Sequence, residues 1–277
     1  MYRLAVCAFS ILLLLDGGYV ASAQTDDEDA VVKQITAIPF SRVVRDNSNV
    51  VKPVTRVYLS DFVTDDVLRN LKKLKHIERL MLSGDAISDA SISHLAELKH
   101  LKTLFLLSTK VTGASLSELK GIPELQELIL SRSPIVNAAL VSLKELKGLR
   151  GINLLDTKIT SEGLVHVKDL KKIEWLGIND TLLTKDGIVK LNNVETLDSM
   201  TIFCESNEYE RHLFYLIKLG RLRKLTLCAN EVSDATVDVL NRMPHLKELV
   251  LEDCTISPER RSSLKKDLPK TQISFPN

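Results

Sequence analysis

The chain has 277 residues, with 37 basic against 36 acidic side chains and a formal net charge of +1. At 44% hydrophobic residues it can bury a sizeable core, which excludes wholesale disorder, and its balance of charge argues against a protein built to neutralise a phosphate backbone. Four cysteines do not make a disulfide scaffold, and with only 5% aromatics the core must be aliphatic.

At the start, Arg3 precedes an apolar run over residues 4–15, which Asp16, Gly17 and Gly18 break. Ala21-Ser22-Ala23 then gives a small-x-small site before Gln24. That order reads as a secretory signal peptide, residues 1–23. A twelve-residue helix spans about 18 Å, short of the roughly 30 Å of a bilayer core, so a membrane anchor is the weaker reading. No later segment could span a membrane, and the mature chain is expected to be exported, periplasmic or secreted. Residues 29–37 read as a short helix and 40–44 as an edge strand, so 24–53 is expected to form an N-terminal cap.

A 24-residue period follows. In the five blocks 77–100, 101–124, 125–148, 149–172 and 173–196, positions 1, 4, 6, 11, 16, 19 and 22 are aliphatic without exception. Chance agreement would be on the order of 10⁻¹² if sites were independent. Positions 4 and 6 (Leu104 and Leu106) alternate as in a short strand, and positions 16 and 19 (Leu116 and Leu119) have helical spacing. Ser88, Thr112, Thr160 and Thr184 at position 12 are placed to cap the helix. Thr109, Ser133, Thr157 and Thr181 at position 9 are placed to satisfy backbone groups in the bend after the strand. Each unit is therefore strand, turn, short helix and return loop, and must stack on its neighbours to bury its apolar side. Copies at 54–76, 222–245 and from Leu246, with a degenerate 25-residue copy at 197–221, bring the total to about nine coils. They form one solenoid over 54–277, in which Ile273 and Phe275 cover the final end. In the degenerate copy, position 11 is lost in the polar run from Cys204 to His212.

Units of the form L-x-x-L-x-L-x-x-T-x-I/V-T resemble leucine-rich repeats of the ribonuclease-inhibitor-like, strand-plus-helix kind. In length and phrasing they are similar to those of exported bacterial leucine-rich-repeat proteins. The resemblance implies an α/β solenoid with a curved parallel sheet on its concave side and short helices on its convex side. It also implies protein recognition through the concave sheet. A continuous asparagine ladder is not implied, because Thr, Ser or Cys often stands in its place.

The chemistry-bearing residues are sparse. His76 and His100 fall in one column without an obvious third ligand, which favours exposed turn histidines over a metal site. Cys204, Cys228 and Cys254 lie in successive coils but not in one column, leaving free thiols or a single disulfide open. Asp156 and Asp180 share position 8, where paired carboxylates could do acid–base work or hold calcium. A polar patch facing a partner is the preferred reading. No phosphate loop or zinc spacing occurs.

The strand positions that point away from the helices are the most informative. Tyr58, Met81, Phe105 and Ile129 run consecutively at position 5, Leu107 and Trp175 add to that face, and Arg132, Asp156 and Asp180 flank it. Apolar residues gathered on a rigid sheet commonly mark a binding surface. The expectation is a non-enzymatic module that needs no cofactor and binds a protein or peptide rather than nucleic acid, with Phe105, Ile129 and Trp175 as anchors. The alternatives are the substrate-reading subunit of a ubiquitin-ligase-like adaptor, a hydrolase using Asp156 and Asp180, and a structural envelope protein. For the adaptor, residues 24–53 are too short to hold the required helical segment.

Overall fold

A computed structural model describes residues 26–49, 52–204 and 209–276 of the chain. The expected signal peptide, and Cys7 with it, lie outside the described residues. Two compact units are formed, 26–173 and 174–276.

The first unit opens with a helix, Asp26–Thr36, and the strand β1, Arg42–Arg45, which pairs antiparallel with β2, Val54–Leu59. Four more strands follow: β3 (Arg79–Ser83), β4 (Thr103–Leu107), β5 (Glu127–Ile129) and β6 (Gly151–Asn153). Each pairs in parallel with the strand before it. The register follows the sequence period, so that Leu80, Leu104, Leu128 and Ile152 stand side by side. The second unit repeats this with β7 (Trp175–Asn179), β8 (Ser199–Phe203), β9 (Lys224–Cys228), β10 (Glu248–Glu252) and β11 (Gln272–Ser274), all in parallel. Its register passes through the 25-residue coil intact, with Leu176, Met200, Leu225 and Leu249 aligned.

Every residue in the seven aliphatic columns of the five regular blocks is at most 6% exposed. Burying side chains of this size contributes roughly 1.5–3 kcal/mol each, which accounts for the aliphatic side chains at all seven positions of the five blocks. The return segments alternate between α-helical turns, such as Asn137–Leu143, and 3₁₀ turns, Leu116–Gly121 and Gly163–Asp169. The spacing 16, 19, 22 has a period of three, which suits a 3₁₀ helix whose side chains eclipse every third residue.

The polar columns do two jobs. At position 9, the hydroxyls of Thr109 and Ser133 are 2.8 Å apart, and Thr157 donates to the Leu154 carbonyl at 2.7 Å, so the bend is satisfied as expected. At position 12 the expected helix cap forms at Thr184, whose hydroxyl accepts from the Gly187 N–H at 3.0 Å. Thr112 and Thr160 instead tie coils together. The Asp89 carboxylate accepts from the Thr112 hydroxyl at 2.7 Å and the Ser115 hydroxyl at 2.9 Å. It also accepts from the Gly113 N–H at 3.2 Å. Burial pushes the Asp89 carboxyl up, but the bonds from Thr112 and Ser115 outweigh it and hold it below its ordinary value. Asn137 makes the corresponding link to Thr160, at 2.9 Å.

The degenerate coil also has a core. Tyr209, within the polar run, is only 4% exposed, and its hydroxyl bonds the Glu231 carbonyl and, at 2.9 Å, the Thr236 hydroxyl. Burial raises that phenol to about 12. At the C-terminus, Ile273 and Phe275 are half-buried, with the Arg261 guanidinium 4.8 Å from the Phe275 ring. Among the described residues no helix is long and apolar enough to cross a membrane.

Candidate functional site

Alternation along the strands decides which side chains leave the core. Val57 and Leu59 point inward at 0% and 2% exposure, so Arg56 and Tyr58 of β2 point outward. Pairing then carries the outward face across the first unit, with Arg56 beside Arg79, Tyr58 beside Met81, and Met81 beside Phe105, which adjoins Ile129. On the other side Arg42 of β1 pairs with Tyr58 and lays its guanidinium 4.4 Å from the ring centroid.

Tyr58, Met81 and Leu107 are half-buried and reachable. The expectation that Phe105 and Ile129 are solvent-facing anchors is corrected: they are 6% and 2% exposed. In-register strands stand only about 5 Å apart, so a row of large side chains packs against itself. The Arg79 guanidinium also lies 5.7 Å from the Phe105 ring.

The flanking polar residues separate into two kinds. Arg132 and Asp156 are exposed, 3.4 Å from each other, and occupy left-handed backbone with φ of 58° and 52°. Gly84 and Ser108 adopt the same conformation at the same position of their coils, as Asp253 does in the second unit. Position 8 is thus the residue at which the chain turns out of the strand, and Gly or Asp there answers a backbone demand. Asp180 departs from this. It enters a 3₁₀ turn, Asp180–Leu182, is fully buried, and has an oxygen 2.9 Å from Nδ1 of His212. The expected outward carboxylate is therefore a buried partner of a histidine whose role the sequence does not reveal.

In the second unit Trp175 opens β7 half-buried, its indole N–H donating to the Thr201 hydroxyl at 3.0 Å, and Phe203 is half-buried on β8. Cys204 and Cys254 are half-buried and Cys228 is buried, and Cys228 donates to a Glu252 oxygen at 3.4 Å. Burial raises the Glu252 carboxyl, the Cys228 bond opposing it and the neighbouring Asp253 charge adding to it. His76 and His100 stack with centroids 6.5 Å apart, and His100 reaches Glu124 at 3.1 Å. Among the described residues no three His, Cys, Asp or Glu side chains gather as a metal site would require.

The sequence period, the in-register parallel strands and the aliphatic columns define a leucine-rich-repeat fold. No protein-family model matches the sequence, and no curated protein matches it. Among solved structures the chain is similar to internalin C2 of Listeria monocytogenes, at 22% identity over 91% of this chain and 93% of that one, with a TM-score of 0.43. It is also similar to an internalin InlF of the same organism, at 17% identity over 91% and 88%, TM-score 0.37. A third similarity is to TLR13 in a complex with ssRNA13, at 16% identity over 78% of this chain and 31% of that chain, TM-score 0.46.

Proposed function

We propose that the chain is an exported, non-enzymatic recognition module that binds a protein or peptide through the outward face of its strands. The observation that carries this reading is the preformed row on the first unit, where Tyr58 and Met81 stand in register and half-exposed on a rigid scaffold. A surface fixed before binding loses little conformational freedom when a partner docks, and half-exposed aromatic and Met side chains are favoured contact groups. The two carboxylates considered for acid–base chemistry differ in setting, Asp156 being exposed beside Arg132 and Asp180 buried against His212. Export rests on the signal-peptide pattern in residues 1–23.

The test is capture. The full chain with a C-terminal tag and its Tyr58→Ala/Met81→Asp variant are each incubated with native envelope and secreted extracts. A protein retained by the wild type and lost by the folded variant supports the reading. Equal retention by both, or retention by neither, overturns the placement. Mass spectrometry of the tagged chain recovered from its host reads the export claim directly, since cleavage after Ala23 leaves Gln24 as the first residue.

A further inference from the structure

We infer that the β1–β3 end of the outward face is a docking site for an acidic, extended peptide segment of a partner protein, held by Arg42, Arg56 and Arg79. The inference rests on the recognition reading above and names the chemistry of the partner.

The first ground is charge placed against its own interest. Arg56 and Arg79 are exposed and directly opposite one another on adjacent strands, roughly 5 Å apart at the backbone. Like charges in that relation are destabilising. The same column is treated differently further along the chain. In the second unit the same column places Lys224 opposite Glu248, and their charged atoms meet at 2.8 Å. In the first unit the neighbouring Lys102 is taken by Glu78 at 2.7 Å and Arg45 by Glu28 at 3.5 Å. Among the described residues Arg42, Arg56 and Arg79 have no carboxylate within ion-pair distance. Only further along the row does the sign change, at Glu127 on β5, which accepts from the Thr103 hydroxyl at 3.2 Å.

The second ground is the mode of presentation. Arg42 lies over Tyr58 and Arg79 over Phe105, with the guanidinium carbons 4.4 Å and 5.7 Å from the ring centroids. A guanidinium edge pairs with a carboxylate through two parallel hydrogen bonds. The same stacking weighs against single-stranded nucleic acid, whose bases would need the ring faces that the arginines cover. In an extended peptide, alternate side chains recur about every 7 Å on one side, a spacing that long arginine side chains can follow.

The third ground is apolar. Phe40 is 92% exposed and held in left-handed backbone at φ 59°, and Phe62 is 62% exposed. Both stand at the same end of β2. The Ser60 hydroxyl donates to the Pro39 carbonyl at 2.6 Å, and its N–H donates to the Ser41 hydroxyl at 3.1 Å, tying the Phe40 loop to the turn that carries Phe62. Phe40 therefore begins no edge strand, contrary to the sequence expectation. A bulky residue in that conformation is strained, and here the strain keeps a ring in solvent two residues from Arg42. Acidic side chains flanked by apolar ones would use both features.

The probe is a fluorescein-labelled decapeptide alternating Glu and Leu, followed by anisotropy against the full chain. A Gln-for-Glu version and a ten-nucleotide oligothymidine run beside it. The acidic peptide is expected to bind roughly tenfold or more tightly than the Gln version, and to weaken as salt rises. Arg56→Gln/Arg79→Gln should abolish that preference. It should also leave the melting temperature unchanged or higher, because a like-charge contact is removed. Arg56→Lys/Arg79→Lys, which keeps the charge without the fork, should retain only part of the preference. Equal binding of the Glu and Gln peptides, a preference unaffected by the Gln variant, or tighter binding of oligothymidine would each overturn the inference. In the capture experiment, a partner held equally by wild type and the Gln variant but lost from Tyr58→Ala/Met81→Asp also overturns it, while leaving the recognition reading in place.

Discussion

The coils between Ile77 and Ile173 and the coil at 197–221 solve the same packing problem with different chemistry. The former fill their seven columns with aliphatic side chains alone, each at most 6% exposed. The latter, with its neighbours in the second unit, buries a phenol bonded to Glu231 and Thr236, and a carboxylate, Asp180, beside an imidazole. An aliphatic column asks only for volume and holds at any depth. A buried polar group must keep its partner or expose a large desolvation penalty. The regular coils should thus fail by losing volume, and the irregular coil by losing a single bond.

The largest effect tests the regular half. Leu104 is fully buried and in register with Leu80 and Leu128. Leu104→Ala should lower the unfolding free energy by about 2–5 kcal/mol in a denaturant titration, through lost burial and the cavity left between two coils. A loss under about 1 kcal/mol would mean that neighbouring coils collapse into the gap and that the column is not tightly packed.

The irregular half is tested by a double-mutant cycle. His212→Leu leaves the fully buried Asp180 without its imidazole, and is expected to cost about 2–3 kcal/mol. Asp180→Leu/His212→Leu should lose less than the sum of the two single changes, because both partners of the shared bond are then removed together. Strict additivity would show that the two side chains are neighbours without being partners, and would erase the contrast with the aliphatic coils.

How far the sequence reveals these features depends on whether a constraint is local. The columns are legible because each aliphatic position follows from strand or helix geometry within one coil, and the outward set of Tyr58, Met81 and Leu107 in the first unit follows from alternation. The exposure of Phe105 and Ile129 is not legible, because it depends on what stands on the neighbouring strands. The Asp180–His212 contact joins residues 32 apart and leaves no local mark. Tyr209 hides for a related reason: within a run of polar residues, only its inward turn shows that it belongs to the core. The arginine face has a signal in Arg56 and Arg79 at one repeat position, but it emerges only when Arg42 of the antiparallel strand is added.

The smallest expected effect concerns position 8, where sequence and structure give different meanings to the same residues. As a functional strip, Arg132 and Asp156 would be chosen for their charge; as turn residues, they are chosen for tolerating left-handed backbone at φ 58° and 52°. Glycine adopts that conformation without the steric cost that other residues bear, of order 1 kcal/mol. Arg132→Gly should therefore leave stability within about 0.5 kcal/mol of wild type or raise it slightly, since the ion pair that it loses is exposed. Arg132→Val, β-branched and unsuited to positive φ, should lose about 1–2 kcal/mol at the same site. If Val were tolerated and Gly were not, side-chain chemistry rather than backbone geometry would govern the column. Arg132 and Asp156 would then regain their place beside the arginine face as candidate contacts.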